Sequence, residues 1–445
     1  MRPNKAFPNF KDKRVLILGL GLLGRGVKDA IFFAEAGAQV TVTDLKTKEQ
    51  LKDSLKLLEP YNIKYTLGQH REDDILNADL IIRNAGVPIT SPFLKLAKEK
   101  KIPVDMDESL FAQYCPCPII GVTGTRGKST TTTLIYSILK NLYQKGQVYL
   151  AGNIQGEATL PLIRIVKPED IVVLELSSWQ LQGFAEKKIS PHIAVFTNIY
   201  EDHLNSYADM ATYINDKKNI YRFQKKSDYC LLNKDNEYTQ DLASEIPSKL
   251  HWFSAKNLHQ SWKLKMLGGH NRENAAAALT VGKIFRFPIT KLKEIIINFP
   301  GLEHRLEFVQ EINGVTFIND TTSTTPISGV KALESIESPI ILIAGGASKN
   351  LDQTPFAKTI AQKVKAVLLL EGTATSELET KIKEVHGTEK IVGKYNDFEE
   401  AIRAAYALSL PGDIVLLSPG CASFGLFINE FDRGQQFKKI VNQLN

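Results

Sequence analysis

Thr123-Gly124-Thr125-Arg126-Gly127-Lys128-Ser129-Thr130 follows directly on the apolar run Pro118-Ile119-Ile120-Gly121-Val122. A strand that empties into a glycine turn and then into a helix is a junction where backbone N–H groups close around phosphate oxygens. Lys128 stands where an ammonium offsets charge on the β/γ-phosphates, and Ser129 where a hydroxyl can hold Mg²⁺. The usual spacing has a glycine five residues before Gly127. Val122 stands there instead, with glycines at 121 and 124, so the loop is a variant. The junction predicts a nucleoside triphosphate as ligand.

Around this loop, short apolar β-branched runs alternate with helix-length amphipathic stretches, the pattern of parallel sheets covered by helices. A first block holds the runs Val15–Leu18, Gln39–Thr43 and Asp79–Ile82 and ends at Cys115-Pro116-Cys117-Pro118, where two prolines break the periodicity. A second starts at Ile119, adds 171–176, 193–199, 229–233 and an alanine-rich helix over 274–279, and closes at Phe299-Pro300-Gly301. A third carries 315–318, 339–344, 366–370 and 414–417. The expected fold class is α/β in three consecutive domains: Rossmann-like over 1–114, a P-loop-type ATP-binding domain over 115–300, and Rossmann-like over 301–445. A length of 445 residues agrees with about three domains at roughly 150 residues each.

Composition excludes several classes. Apolar residues at 43% and charged ones at 23% belong to a globular chain rather than a disordered one. The net charge of +6 is mixed along the sequence, with no single-sign block to follow a nucleic-acid backbone, so no nucleic-acid partner is expected. No apolar run approaches the ~18 residues of a membrane span. An N-terminal stretch from Lys11 to Ala36 loosely imitates a secretion signal, but Arg25, Lys28 and Asp29 interrupt it where a cleavable signal is uncharged. Four cysteines include no C-x-x-C pair. Reduced thiols, a cytoplasmic location and a monomer are the expectations.

Gly19-Leu20-Gly21-Leu22-Leu23-Gly24 ends the first strand, and Asp44 follows 20 residues after Gly24 at the end of the next. That is the dinucleotide fingerprint, yet the same turn receives any diphosphate at a helix N-terminus, that of a UDP-sugar included. NAD and a UDP-sugar both remain open on these residues. A second phosphate loop about one hundred residues later favours a nucleotide-linked substrate plus ATP.

Two further strand ends carry chemistry. Glu175 opens Glu175-Leu176-Ser177-Ser178-Trp179-Gln180-Leu181 at the carboxyl edge beside the loop, where a carboxylate is a hard ligand for Mg²⁺. Alone it is equally compatible with a solvated strand end or a helix-capping acid. Thr197-Asn198-Ile199-Tyr200-Glu201-Asp202-His203 sets a histidine beside two acids, and a lone histidine is more often structural. Farther on come Tyr213-Ile214-Asn215-Asp216-Lys217, His270-Asn271, Gly301-Leu302-Glu303-His304-Arg305, and Asn319-Asp320-Thr321-Thr322-Ser323-Thr324. Gly345-Gly346-Ala347-Ser348-Lys349, Ser418-Pro419-Gly420-Cys421-Ala422-Ser423-Phe424 and Arg433-Gly434 complete the set.

Taken together, in order and at these spacings, the motifs resemble the Mur ligases over essentially the whole chain. These enzymes form amide bonds through an acyl phosphate. Folylpolyglutamate synthases share the phosphate loop and would share the central domain, but have no use for the N-terminal glycines. The resemblance implies ATP at Gly124, Thr125, Gly127, Lys128, Ser129, Thr130, Asn271, Arg305 and Asp320. It implies the UDP end of a substrate at Gly21, Leu22, Leu23, Asp44, Lys46, Asn84, Gly86, Asn153, Ser177 and Gln180. Two Mg²⁺ fall to Ser129, Glu175, His203 and Lys217, the lysine as a CO₂-derived carbamate, since an ordinary ammonium repels a cation. Lys218 is the fallback for that lysine, because the spacing from His203 is one residue short. His203 is also a weak choice of base for the incoming amine, as metal binding would occupy it. The C-terminal motifs are similar to those of the D-glutamate-adding member, with Thr324, Lys349, Ser423 and Phe424 at the amino acid. UDP-N-acetylmuramoyl-L-alanine and D-glutamate are then the expected substrates, in peptidoglycan precursor synthesis, with Lys128, His203, Lys217 and Arg305 in the catalytic roles. Thr322 departs from the family, which commonly has a lysine there, and one cationic contact to the substrate is expected to be missing.

Overall fold

A computed structural model describes residues 7–21, 24–154, 159–201, 207–266, 268–423 and 425–444. Leu22, Leu23, His203 and Phe424, four of the expected site residues, lie outside them. The chain forms three sheets in two compact units. One unit comprises the chain up to His259 together with Glu273–Leu292, and the other Gln260–Arg272 with the chain from Lys293 onward.

The first unit holds two parallel sheets. Strands β1 (Arg14–Leu18), β2 (Gln39–Asp44), β3 (Ile63–Leu67), β4 (Leu80–Arg83) and β5 (Val104–Asp105) lie in the order β3-β2-β1-β4-β5. Strands β6 (Ile119–Thr123), β7 (Val148–Gly152), β8 (Ile171–Glu175), β9 (Ile193–Phe196), β10 (Tyr229–Asn233) and β11 (Lys249–Phe253) lie in the order β11-β10-β9-β6-β8-β7. The central strands β6, β8 and β9 are buried along their whole length, which is why they read as unbroken apolar runs. Edge strands β3 and β11 are mostly open, with two buried residues in β3 and one in β11, and leave a weaker pattern.

One hydrophobic core runs through both sheets of this unit. Phe33 of the helix Arg25–Glu35, Phe111 of Asp107–Tyr114 and Phe184 of Ser178–Lys187 all belong to it. Burying each such ring contributes about 1.5–3 kcal/mol, so the glycine-turn sheet and the phosphate-loop sheet are held as one body. In both sheets the strand order reverses beside the strand that carries the glycines, β1 in one and β6 in the other. The crevice outside the carboxyl ends at such a reversal is where open α/β sheets take ligands.

The second unit holds a mixed sheet of β12 (Glu307–Ile312), β13 (Val315–Asn319), β14 (Ile340–Gly345), β15 (Val364–Leu370), β16 (Ile391–Tyr395) and β17 (Ile414–Leu417). Its order is β12-β13-β17-β14-β15-β16, with β12 antiparallel to β13 and the rest parallel. Separate apolar clusters cover its two faces. The carboxyl ends of β13, β17 and β14 sit side by side and deliver the loops beginning at Asp320, Ser418 and Gly346 to one edge. Among the described residues no helix is long and apolar enough to cross a membrane.

Candidate active site

The N-terminal glycines line a cavity of about 430 Å³ shared with Asp44, Lys46, Asn84 and Gly86, all of them expected there. Gly19 and Gly21 have φ of +86° and +70°, a region that only glycine enters freely. A Cβ on Gly19 would come within 2.9 Å of Val87 Cγ2. Asp44 Oδ2 accepts the amides of Leu20 and Gly21 (2.8 and 3.0 Å) while Oδ1 accepts that of Lys46 (2.8 Å). The carboxylate thus clamps the turn from the cavity wall. His70 and Phe93 also line the cavity, ring edge to ring face at 5.2 Å, and were missed by motif. His70 sits just past the carboxyl end of β3, an edge strand with a weak sequence pattern, and carried no signal of its own.

In the same unit, the phosphate loop links β6 to the helix Lys128–Leu142. Lys128, Ser129 and Thr130 form the first turn of that helix, and Gly127 precedes it at φ +76°, where a Cβ would lie 2.2 Å from Asn274 Oδ1. Asn198 fastens the loop from the next strand: its carbonyl accepts Thr125 N (2.9 Å) and its Oδ1 accepts Arg126 N (2.9 Å). The Lys128 ammonium donates to the carbonyls of Gly124 and Thr125 at 3.1 and 2.9 Å, folded over the cradle that it serves.

Glu175, the last residue of β8, is 2% exposed. Its Oε1 accepts from Asn153 Nδ2 (2.8 Å), and its Oε2 is buried with no hydrogen-bond partner among the described residues. A buried anionic oxygen without a donor is costly unless a cation meets it, which excludes the solvated strand end and fits Mg²⁺. Lys217 and Lys218 part company here. Lys217 is 1% exposed, donates to Gly124 O of the phosphate loop (2.8 Å) and lies 4.6 Å from the centre of the Tyr213 ring. Lys218 pairs with Glu245 at 2.6 Å, away from that loop's contacts. Tyr213 and Lys217 share a face of the helix Met210–Lys218, as a spacing of four dictates, and the Tyr213 hydroxyl meets Thr125 Oγ1 at 3.2 Å.

Three residues expected at the UDP substrate are engaged with protein. Ser177 caps the helix Ser178–Lys187, and its amide and hydroxyl both donate to Gln180 Oε1 (2.8 and 2.9 Å). Gln180 is fully buried and donates onward to Glu108 Oε1. Asn153 stands between Glu175 and Arg25. Burial holds the Glu108 carboxyl well above the usual carboxylate range, and Asp107 alongside raises it further.

In the second unit the expected residues again converge. His304 and Leu306, at φ +65° and +43°, flank an exposed Arg305 in a strained turn. Asp320 Oδ1 accepts Leu306 N (3.1 Å) and Thr322 Oγ1 donates to His304 O (2.8 Å), so Thr322 braces the turn from the position where the family has lysine. Asp320 is itself buried, its other oxygen accepting from Ser323 and Ser418, and burial pushes its carboxyl up to about 6. The loops are knitted together: Gly420 N donates to Ser323 O, and Ala347 and Ala422 exchange backbone hydrogen bonds. Lys349 Nζ donates to Thr324 Oγ1 and Ser423 is buried on the adjoining loop. Arg433, fully buried, donates to Thr321 Oγ1 and O (2.9 Å each), which gives the Arg433-Gly434 pair a bracing role. Asn271 is buried in the first turn of the helix His270–Ile284.

A variant phosphate loop, a buried carboxylate oxygen at its edge and a glycine-turn cavity in the same body define an α/β nucleotide-binding protein of the phosphate-loop class. Comparison with known proteins narrows the class: the chain belongs to the Mur ligase family. It matches the Mur ligase MurD-like N-terminal domain over residues 13–105, the Mur ligase middle domain over 122–262, and the Mur ligase glutamate ligase domain over 304–421. A UDP-N-acetylmuramoylalanine--D-glutamate ligase of Roseiflexus sp. (strain RS-1) is 40% identical, the alignment covering 96% of this chain and 98% of the relative. A protein of the same name from Clostridium kluyveri is 36% identical over 98% and 99% of the two chains. Among solved structures, the UDP-N-acetylmuramate-alanine ligase MurC of Thermotoga maritima has a TM-score of 0.56 at 18% identity, covering 97% of this chain and 99% of its own. MurF of Acinetobacter baumannii has a TM-score of 0.52 at 13% identity, covering 98% and 92%. At these identities the two structures speak for the fold alone.

Proposed function

We propose that the chain joins D-glutamate to UDP-N-acetylmuramoyl-L-alanine, driven by ATP, in peptidoglycan precursor synthesis. The end-to-end likeness to relatives bearing that ligase name supports the reaction, and the buried, donor-less Glu175 Oε2 beside the phosphate loop supports the site. The cavity at Gly21, Asp44, Lys46, Asn84 and Gly86 would seat the UDP end of the substrate. Amides of the loop from Gly124 to Thr130 would hold the ATP phosphates, and Lys128 would exchange its two loop carbonyls for phosphate oxygens. Asn271, Arg305 and Asp320 belong to the ATP site in this reading, with Asp320 setting the turn from which Arg305 projects. Ser129 and Glu175 would hold Mg²⁺, joined by His203 and by Lys217 as a carbamate. Bound there, the metal offsets charge on the transferring phosphoryl group.

The carboxylate of the UDP-linked L-alanine takes the γ-phosphoryl group of ATP and ADP leaves. The deprotonated amine of D-glutamate then attacks the acyl carbon, an amide bond forms and phosphate leaves. Thr324, Lys349, Ser423 and Phe424 would orient the amino acid, with the Lys349 ammonium facing a carboxylate. We place the enzyme in the cytoplasm, as a monomer acting on small molecules.

Phosphate release measured with UDP-N-acetylmuramoyl-L-alanine and a panel of amino acids tests the reading. Release with D-glutamate and not with L-alanine, L-lysine or diaminopimelate is the expected result. Equal release across the panel would reject the substrate assignment.

A further inference from the structure

Glu175 ends a chain of hydrogen bonds that begins on the first helix of the glycine-turn sheet. Arg25, next to Gly24 in sequence, donates through Nη2 to Asn153 Oδ1 at 2.8 Å. Asn153, just past β7, donates through Nδ2 to Glu175 Oε1 at 2.8 Å. A side-chain amide has one acceptor end and one donor end, so the guanidinium on Oδ1 pins Asn153 in the orientation that turns Nδ2 to Glu175. Turned over, Asn153 would set its oxygen against the Glu175 carboxylate, acceptor to acceptor. With the amide held as it is, Oε1 is taken and Oε2 is the oxygen left without a donor. Arg25 is steadied in turn by Glu108 Oε1 at 3.4 Å, which also accepts from Gln180.

We infer that Arg25 is a positioning residue for the divalent-cation site: through Asn153 it aims the Glu175 carboxylate, so the cation affinity of the central sheet depends on a residue of the N-terminal sheet. This rests on the reading of Glu175 as a metal ligand given above. Removing the partner that orients a metal ligand typically weakens metal binding 10–100-fold. No contact of Arg25 with ATP is needed for that effect, so nucleotide affinity without metal should stay as it is.

The test uses Mn²⁺ as the probe, titrated onto the full-length protein with ADP present, free ion being read by electron paramagnetic resonance. Arg25→Gln is expected to weaken Mn²⁺ binding about tenfold or more, and Arg25→Lys, which keeps a charged donor, to weaken it less. Adding Asn153→Leu to Arg25→Gln should lower the affinity little further than Asn153→Leu alone, since both substitutions cut one chain. ADP binding in EDTA should stay within twofold of the parent in every variant. Parental Mn²⁺ affinity in Arg25→Gln would overturn the inference. So would a joint fall of Mn²⁺ affinity, ADP affinity and thermal midpoint in both Arg25 variants, which marks a residue of the scaffold. Failure of the parent protein itself to bind Mn²⁺ with ADP would remove the metal-ligand reading and the inference with it, a result no variant can mimic.

Discussion

The ammonium of Lys349 donates to the hydroxyl of Thr324 across 2.8 Å, joining the loop after β14 to the loop after β13. The proposed reaction gives both side chains to the amino-acid substrate, and their contact puts them within reach of one small ligand. A hydrogen bond to a charged group is worth about 1.5–3 kcal/mol, so Lys349→Ala should lower kcat/KM for D-glutamate roughly 10- to 100-fold. Thr324→Val, which keeps the shape and loses the hydroxyl, should lower it less. Steady-state kinetics with D-glutamate varied check this, with KM for ATP expected to stay constant. A parallel rise in KM for ATP would move Lys349 to the nucleotide.

Neighbouring lysines on one helix should behave as opposites. Lys217 is buried against the phosphate loop, whereas Lys218 makes a surface pair with Glu245 of a kind worth about 0–1 kcal/mol. Lys217→Ala is expected to lower the rate at least 100-fold, and Lys218→Ala less than fivefold. If Lys217 works as a carbamate, short carboxylic acids added to Lys217→Ala should restore part of the phosphate release. No rescue at any concentration would leave Lys217 acting as an amine.

Asp320 carries a pH dependence whose sign is set by burial. Its carboxyl is raised from the ordinary 3.8 to about 6, burial outweighing the hydrogen bonds from Ser323, Ser418 and Leu306. A carboxyl raised in the folded state contributes stability that is complete below the unfolded value and is lost as pH climbs through the folded one. Between pH 4 and pH 7 the parent should therefore lose roughly 2–3 kcal/mol relative to Asp320→Asn, which has no proton to give up. Urea unfolding of both proteins at the two pH values measures the difference. A constant gap would show that Asp320 does not titrate in this window.

How far the sequence was legible follows from where each signal lies. Buried central strands such as Ile119–Thr123 and Ile171–Glu175 are apolar at nearly every position and were readable, as were the glycine turns whose positive φ admits little else. The strands Ile63–Leu67, Lys249–Phe253 and Ile391–Tyr395 were not anticipated, since they sit at sheet edges and carry polar residues on open positions. At the site, the resemblance to Mur ligases pointed to Glu175 and Lys217. It could not show that Glu175 keeps one oxygen without a donor, or that Gln180 is consumed by Ser177 and Glu108, because each contact joins residues distant in the chain or fixed by packing. Thr322 is the clearest lesson. By type it signalled a missing lysine, while its hydroxyl in place supports the His304 carbonyl.

A second polar chain runs from the N-terminal sheet toward Lys217, another of the candidate metal residues. Arg83, the last residue of β4, holds the Val87 carbonyl in the cavity loop through Nε (3.0 Å) and donates through Nη2 to Gln182 Oε1. Gln182 Nε2 donates to Asp216 Oδ2 (2.6 Å), and Asp216 precedes Lys217. Gln182 is therefore the only link in this chain that answers a donor on one side and an acceptor on the other. Gln182→Leu matches it roughly in size and removes both bonds, leaving Arg83 3% exposed and short of one acceptor. An unmet bond to a buried charged group costs about 1.5–3 kcal/mol, so the variant should lose about 3 kcal/mol of unfolding free energy in urea. Because the Arg83 end grips the cavity loop and the Asp216 end adjoins Lys217, KM for the UDP substrate should rise and kcat fall together. A variant that keeps its unfolding free energy within about 0.5 kcal/mol of the parent, the scatter expected of surface changes, would show that neither charge depends on Gln182.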